Sequence, residues 1–316
     1  MTAPSGLHEV EHTVTVRAPA AEVYRLLADV GNWPRLFPPT VHVERLGEMD
    51  GGERIQIWAT ANGEAKGWTS RRLLDPEARR IEFAQEVTVP PVAAMGGTWI
   101  VDAVSDEESL VRLLHHYRAI DDDPDGLAWI DTAVDRNSDA ELAALKANAE
   151  LGGTEPDRLL SFQDSLRVEG SAKDVYDFLN EAGLWAERLP HVARVGLTEE
   201  RPGLQILEMD TRTADGSTHT TKSVRVCFPH ERIVYKQITL PALMDLHTGY
   251  WLLEEDGQDG VLVTSQHTVV LNTENITKVL GADAGVLESA RFVRNALSRN
   301  STATLGHAKE YAESRR

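Results

Sequence analysis

The chain repeats itself, and the length of that repeat constrains its fold more than any other feature. Residues 16–27, VRAPAAEVYRLL, return as VEGSAKDVYDFL at 168–179, an offset of 152 positions from Val16 to Val168. The correspondence runs on. WPRLFP, from Trp33, meets WAERLP, from Trp185, with slightly shifted spacing. DPEARRIEFAQ (75–85) meets FPHERIVYKQ (228–237), one residue shorter, and GTWIV (97–101) meets GYWLL (249–253). Solenoid units run about 20–50 residues, so this period is that of a whole domain. A chain of 316 residues then holds two copies of one fold, each long enough to bury about two-thirds of its unfolded surface. We place the copies at 1–151 and 159–316, joined by GGTEPDR (152–158).

Composition narrows the class. With 41% apolar and 26% charged residues the chain reads as an ordinary soluble one. Its single cysteine, Cys227, excludes a disulfide framework and a multi-cysteine zinc site. Lying in the apolar run VRVCF, it is expected to be buried and inert. The N-terminus lacks the apolar core of a signal peptide and no stretch approaches the ~20 apolar residues of a membrane span, so we expect a cytoplasmic protein and no membrane partner. A net charge of −18 argues against generic nucleic-acid binding, because no excess of Lys and Arg remains to replace phosphate counterions. An acidic partner would have to dock on local basic patches such as Arg71, Arg72, Arg79 and Arg80.

Each copy shows the same order of elements. In the first, an alternating strand over 8–17 ends at Ala18-Pro19, and a helix over 20–29 carries Val23, Leu26 and Leu27 on one face. Gly31-Asn32-Trp33-Pro34 breaks it. Strands are expected around 41–46, 53–60, 64–75, 80–87, 97–104 and 109–119, punctuated by Asp50-Gly51-Gly52, Asn62-Gly63 and Asp75-Pro76. A helix near 138–151 closes the copy, with Asp121-Asp122-Asp123 and Trp129 in an acidic connection before it. The second copy has a strand at 160–168, a helix at 172–182, strands to about 271 and a helix over 284–312, in which Ser301-Thr302 could mark a bend. Strand, short helices, antiparallel strands and a long last helix make an α+β fold, with the sheet wrapped around that helix and a cavity between them.

This order, with VRAPAAEVYRLLADVGNWPRLFPP, the W-x-S-x-R of Trp68, Ser70 and Arg72, and SVRVCFPHERIVYKQ, resembles the helix-grip (START-like, Bet v 1-like) fold. In detail it resembles the di-domain aromatase/cyclases of bacterial aromatic polyketide synthases. The resemblance implies a linear poly-β-keto chain, held as a thioester on an acyl carrier protein, that is folded, closed by an aldol step and dehydrated to a first aromatic ring. It also implies minimal polyketide synthase and ketoreductase partners, closure between carbons seven and twelve of a reduced chain, and no cofactor or metal. A carrier of lipids or other hydrophobic ligands is the competing reading of the same fold, and a purely structural scaffold is a third.

Alternation puts Trp68, Ser70 and Arg72 on one strand face, where Arg72 would stabilise an enolate or alkoxide oxygen and Ser70 would orient a water or carbonyl. Thr221, Ser223 and Arg225 are the second-copy counterparts, with Thr in place of Trp, and the more complete triad points to the first lobe for the principal chemistry. Single-domain relatives often carry a tyrosine where this chain has Pro38-Pro39-Thr40, so if that hydroxyl serves as the acid in them, this chain must use another group. His116 and His267, set level in the late strands, could exchange protons near neutral pH, though a strand histidine also serves plain packing. His115, on the opposite face from His116, is expected in solvent. His191 and His219 are weaker candidates. Gln85 and Gln237 hold equivalent positions and could line each pocket. Trp33, Trp58, Trp68, Trp99, Trp185 and Trp251 would supply flat aromatic walls or simply core.

Overall fold

The computed structural model describes residues 7–61, 63–151, 156–212, 216–257 and 260–316, and falls into two units that part between 155 and 156. In the first, β1 (His8–Val16) leads through Pro19 into α1 (Ala20–Ala28) and α2 (Trp33–Leu36). There follow β2 (Thr40–Met49), β3 (Gly52–Ala61), β4 (Glu64–Asp75), β5 (Arg80–Gln85), β6 (Val92–Ala103), β7 (Ser109–Ala119) and α3 (Pro124–Leu151). The second unit repeats the order: β8 (Leu159–Val168), α4 (Ala172–Asn180), α5 (Trp185–Arg188), then β9 (Val192–Arg201), β10 (Leu204–Arg212) and β11 (Thr218–Phe228). It ends with β12 (Arg232–Thr239), β13 (Met244–Glu255), β14 (Val261–Leu271), α6 (Ile276–Leu280) and α7 (Val286–Glu313). The expected linker lies partly outside the described residues, as does Asn62 of the expected Asn-Gly turn; Pro156–Arg158 forms a single 3-10 turn.

Each unit has one seven-stranded antiparallel sheet, ordered β1-β7-β6-β5-β4-β3-β2 and β8-β14-β13-β12-β11-β10-β9. The first strand therefore pairs with the last, from His8↔Tyr117 to Val16↔Ser109, and from Val168↔Val261 to Leu159↔Val270. One face of each sheet packs on the long helix: α3 lies on β1 and β7, α7 on β8 and β14. This is the α+β helix-grip architecture, built twice. The apolar stripe of α1 (Val23, Leu26, Leu27) is buried against Val111, Leu113, Leu142 and Leu145, and Val175, Phe178 and Leu179 of α4 meet Val261, Val263 and Leu305 in the same way. Ser171 caps α4 by accepting from Asp174 N at 3.0 Å, whereas Pro19 starts α1 with no side-chain cap.

Two helical boundaries differ from expectation. Helix α3 begins at Pro124, not near 138, because 124–137 carries its own start signal. Pro124 opens the helix, Asp123 accepts from Gly126 N at 2.7 Å, and Leu127, Ile130 and Val134 follow at helical spacing to pack on Tyr117 and Ala119. The acidic run hid that stripe. Helix α7 passes unbroken through Ser301 and Thr302, whose hydroxyls donate to the Leu297 and Ser298 carbonyls one turn back, so the pair bends nothing. Among the described residues, no helix is long and apolar enough to cross a membrane.

Candidate active site

In the first unit Trp68, Ser70 and Arg72 share the inward face of β4, as alternation requires. Arg72 is 1% exposed, and both Nη groups of its guanidinium are engaged. Nη1 donates to Glu53 Oε1 at 2.9 Å, Nη2 to Leu27 O at 2.9 Å, and both reach Ala28 O at 3.3 Å. The group lies over the Trp33 ring at 5.0 Å. It thereby ties the sheet to the carbonyl end of α1, where a cation is favoured. Burial pulls its pKa down to about 10 against the opposing pull of Glu53. Ser70 Oγ is also committed, donating to Ala84 O at 2.9 Å.

The other first-unit candidates separate. Trp68 packs against Val30, Ile55 and Ile57 on the inner face, and half-buried Gln85 pairs with Ser70 across the ladder. Trp99 is core, stacked 6.2 Å from Phe37. Trp58 departs from the expectation: it alternates with inward Ile55 and Ile57, so it lies on the outer face, stacked on His42 at 5.6 Å. His116 also departs. The pairs are Gly97↔His115 and Gly249↔His267, so the counterpart of His267 is His115, again at an offset of 152 residues. His116 is exposed on the outer face. His115 is the inward residue, its Nδ1 3.4 Å from Ser138 Oγ, and burial draws its pKa down to about 4.

In the second unit the candidates converge on a cavity of about 360 Å³ between sheet and α7. Ser223 and Arg225 of β11, Gln237 of β12, Trp251 of β13, His267 of β14 and Trp185 all line it, with His191 and His219 also on its wall. Arg225, 2% exposed, donates Nη2 to Leu179 O at 2.6 Å and lies 5.3 Å from the Trp185 ring centre. Its Nη1 is buried with no hydrogen-bond partner. Burial lowers the Arg225 pKa, but a guanidinium still keeps its proton at neutral pH.

Three further residues, none of them a sequence candidate for the site, complete a polar cluster. Tyr235 Oη and His247 Nε2 both face His267 Nδ1, at 2.9 and 3.0 Å, and His267 Nε2 lies 2.6 Å from Ser301 Oγ. The protons can be assigned. Ser301 Oγ donates to Leu297 O at 2.9 Å, so it accepts from His267 Nε2–H. His267 Nδ1 is then the lone-pair nitrogen, and its single lone pair is shared between Tyr235 O–H and His247 Nε2, the two groups within reach of it. Burial lowers the pKa of His267 to about 4 and of His247 to about 3, and raises that of Tyr235. At neutral pH the cluster is therefore uncharged and rich in protons, facing a buried cation. Cys227, nearby in β11, is pushed up to about 11 by burial and stays a thiol. Among the described residues, no three His, Cys, Asp or Glu side chains group as metal ligands.

Comparison with known proteins gives this geometry a family. The model for "Polyketide cyclase / dehydrase and lipid transport" matches residues 8–150. A granaticin polyketide synthase bifunctional cyclase/dehydratase from Streptomyces virginiae is 53% identical over 301 residues, covering 93% of this chain and 97% of that protein. The chain belongs to the polyketide synthase cyclase/dehydratases. The actinorhodin polyketide synthase bifunctional cyclase/dehydratase of Streptomyces coelicolor is 44% identical over 96% of each chain. Among solved structures, the di-domain ARO/CYC BexL from the BE-7585A biosynthetic pathway superposes with a TM-score of 0.92 at 65% identity, covering 97% of this chain and 99% of that one. StfQ from the steffimycin pathway gives 0.88 at 36% identity, with the same coverage.

Within this cyclase/dehydratase the two lobes differ where the cavity is lined. At the 152-residue offset Tyr235 stands for Phe83 and His247 for Met95, so the first lobe has a phenyl ring and a thioether where the second has a phenol and an imidazole. The aligned segments EFAQ and VYKQ carried that signal. Read as evidence of duplication, they show likeness; their mismatch marks the divergent chemistry.

Proposed function

We propose that the protein closes and aromatises the first ring of a poly-β-keto chain delivered as a thioester by an acyl carrier protein. In this reading a ketoreductase has already acted on the chain, and closure joins carbons seven and twelve. The second-lobe cavity is the reaction chamber. One observation carries the choice of lobe: Arg225 has a buried, unpartnered Nη1 on a cavity wall it shares with Tyr235, His247 and His267, whereas both Nη groups of Arg72 are engaged.

The chemistry follows from those groups. The Tyr235 hydroxyl turns from His267 Nδ1 to a substrate oxygen, a methylene between two carbonyls loses a proton to the freed Nδ1, and the enolate oxygen is met by Arg225 Nη1. The imidazole is weakly basic in the empty site, but an anion formed beside it favours the protonated ring. The enolate carbon attacks the second carbonyl, a carbon–carbon bond forms, and the new alkoxide takes a proton from the Tyr235–His267 pair. Loss of further carbon-bound protons, with protonation of the departing hydroxyls, releases two waters, one from the aldol carbon and one from the carbon that ketoreduction left as an alcohol in the ring, and enolisation of the remaining ring carbonyl leaves the aromatic ring. Much of the rate comes from holding one chain conformation out of many, for which Trp185 and Trp251 provide flat walls. A volume of about 360 Å³ lies within the range of small-molecule sites.

The test is reconstitution with a minimal polyketide synthase and ketoreductase, comparing wild type with Arg225→Lys and Arg72→Lys by mass spectrometry. An ammonium lacks the planar fork, so Arg225→Lys is expected to lose the aromatised product by roughly a hundredfold, and a folded Arg72→Lys protein to retain it. Full yield from Arg225→Lys would remove the second cavity from the mechanism and favour a carrier, which needs only the cavity's shape.

A further inference from the structure

The same arginine is wired differently in the two lobes, and one residue accounts for the difference. Backbone pairing fixes the equivalence: Leu74 N donates to Gly51 O at 3.1 Å, and Cys227 N to Gly203 O at 2.7 Å. Two residues beyond those glycines stand Glu53 and Gln205; two residues before Leu74 and Cys227 stand Arg72 and Arg225. Gln205 and Arg225 are direct cross-strand partners. In the first lobe Glu53 accepts from Arg72 with one oxygen and from Arg45 Nε, at 2.9 Å, with the other. Arg72 also reaches the Ala28 carbonyl.

Gln205 reverses this arrangement. Its Nε2 donates to Glu199 Oε2 at 2.8 Å, to Asn180 Oδ1 at 3.2 Å and to Asn180 O at 3.3 Å. Asn180 is the counterpart of Ala28, so the amide engages the carbonyl that the arginine uses in the first lobe. Glu199, a nearby carboxylate, is held by Gln205 and by Gly203 N at 2.8 Å. Arg225 is left with Leu179 O. A buried cation with an open donor and no bonded counter-ion is costly by itself, and an anionic oxygen relieves the cost.

We propose that Gln205 is the positioning residue that makes the second lobe the anion-binding lobe. By occupying Asn180 and Glu199 it leaves Arg225 Nη1 open to one oxygen of a planar enolate, phenolate or carboxylate, while Glu53 closes the equivalent site in the first lobe. The proposal rests on the reading of the second cavity as the reaction chamber, yet it concerns binding alone and can fail separately.

The experiment uses the full chain and two probes of one shape, salicylate and its neutral carboxamide, salicylamide, titrated by isothermal calorimetry. A hydrogen bond to a charged group contributes about tenfold or more in affinity, so wild type is expected to prefer salicylate by at least that factor. Gln205→Glu is expected to erase the preference while salicylamide binds as before, which also reports an intact cavity. Because a carboxylate at 205 would face Glu199, the double variant Glu199→Gln/Gln205→Glu is measured alongside and should behave the same way. Full salicylate preference in both variants, no preference in wild type, or a preference abolished by Arg72→Met and not by Arg225→Met would each overturn the assignment. Product formation is read in the reconstitution above, so a cavity that selects the anion but makes no ring counts against the proposed function and leaves Gln205 in place.

Discussion

Two arginines with the same position in the fold have different bonding, and the difference is measurable as stability. Arg72 holds two α1 carbonyls and a carboxylate, so Arg72→Met would strand Glu53 and empty that junction. We expect a loss of about 3–5 kcal/mol in urea unfolding. Arg225 makes one such bond, and Arg225→Met should cost only about 1 kcal/mol while abolishing product. Equal losses would mean that both arginines are structural. Tyr235→Phe recreates the first lobe's Phe83 and leaves His247 as the sole donor to His267 Nδ1. Product formation in single turnover is expected to fall about a hundredfold, with the melting temperature little changed. Undiminished turnover would exclude the phenol as acid.

At the scale of elements, the glycine before each repeated tryptophan motif has a structural cause. A Cβ on Gly249 would sit 2.1 Å from Gln266 O and 2.6 Å from Tyr235 Oη; one on Gly97 would meet Leu114 O at 2.2 Å and Phe83 Cζ at 2.5 Å. The ring of Tyr235 or Phe83 thus lies over bare backbone, next to the inward histidine. Gly249→Ala should force β13 from β14 and displace Tyr235, lowering both stability and product yield. A melting curve and yield like wild type would show that the ring position is not set there. The order of elements along the chain, helices α1 and α4 and the inward face of β4 were legible because alternation and turn residues are local signals, whereas the short α2, α5 and α6 were not expected. The histidine register was not legible either. His115 and His116 are adjacent, so one slip of alignment exchanges a half-buried, inward imidazole for an exposed one, and only the pairing Gly97↔His115 decides. Tyr235 and His247 escaped notice because their partners, His267 and Ser301, come from other strands and from α7. Arg72 shows the converse limit: its motif was plain, but its engagement by Glu53 requires knowledge of what faces it.

For the whole molecule, buried neutral histidines should govern behaviour in weak acid. His115, His247 and His267 have folded pKa values of about 4, 3 and 4, against an ordinary 6.5. Between 6.5 and those values the unfolded chain binds protons that the folded chain refuses, so stability falls as pH drops through that window. Glu141, raised by burial to about 7, acts in the opposite sense, gaining stability as pH falls from about 7 toward 4.5. Three groups outweigh one. The melting temperature is expected to drop by about 5 °C or more from about pH 7 to about pH 5, and His247→Phe should flatten the slope. A melting temperature that rises on acidification would contradict the burial described here. The closing strand of each sheet has another consequence, in synthesis rather than chemistry. Since β1 waits for β7, about a hundred residues later in the chain, the first sheet closes late. By then a second strand with β1's role is close behind on the ribosome. Tandem copies of one fold risk exchanging such strands, and the divergence of HEVEHTVTV from LLSFQDSLRV is expected to work against that exchange.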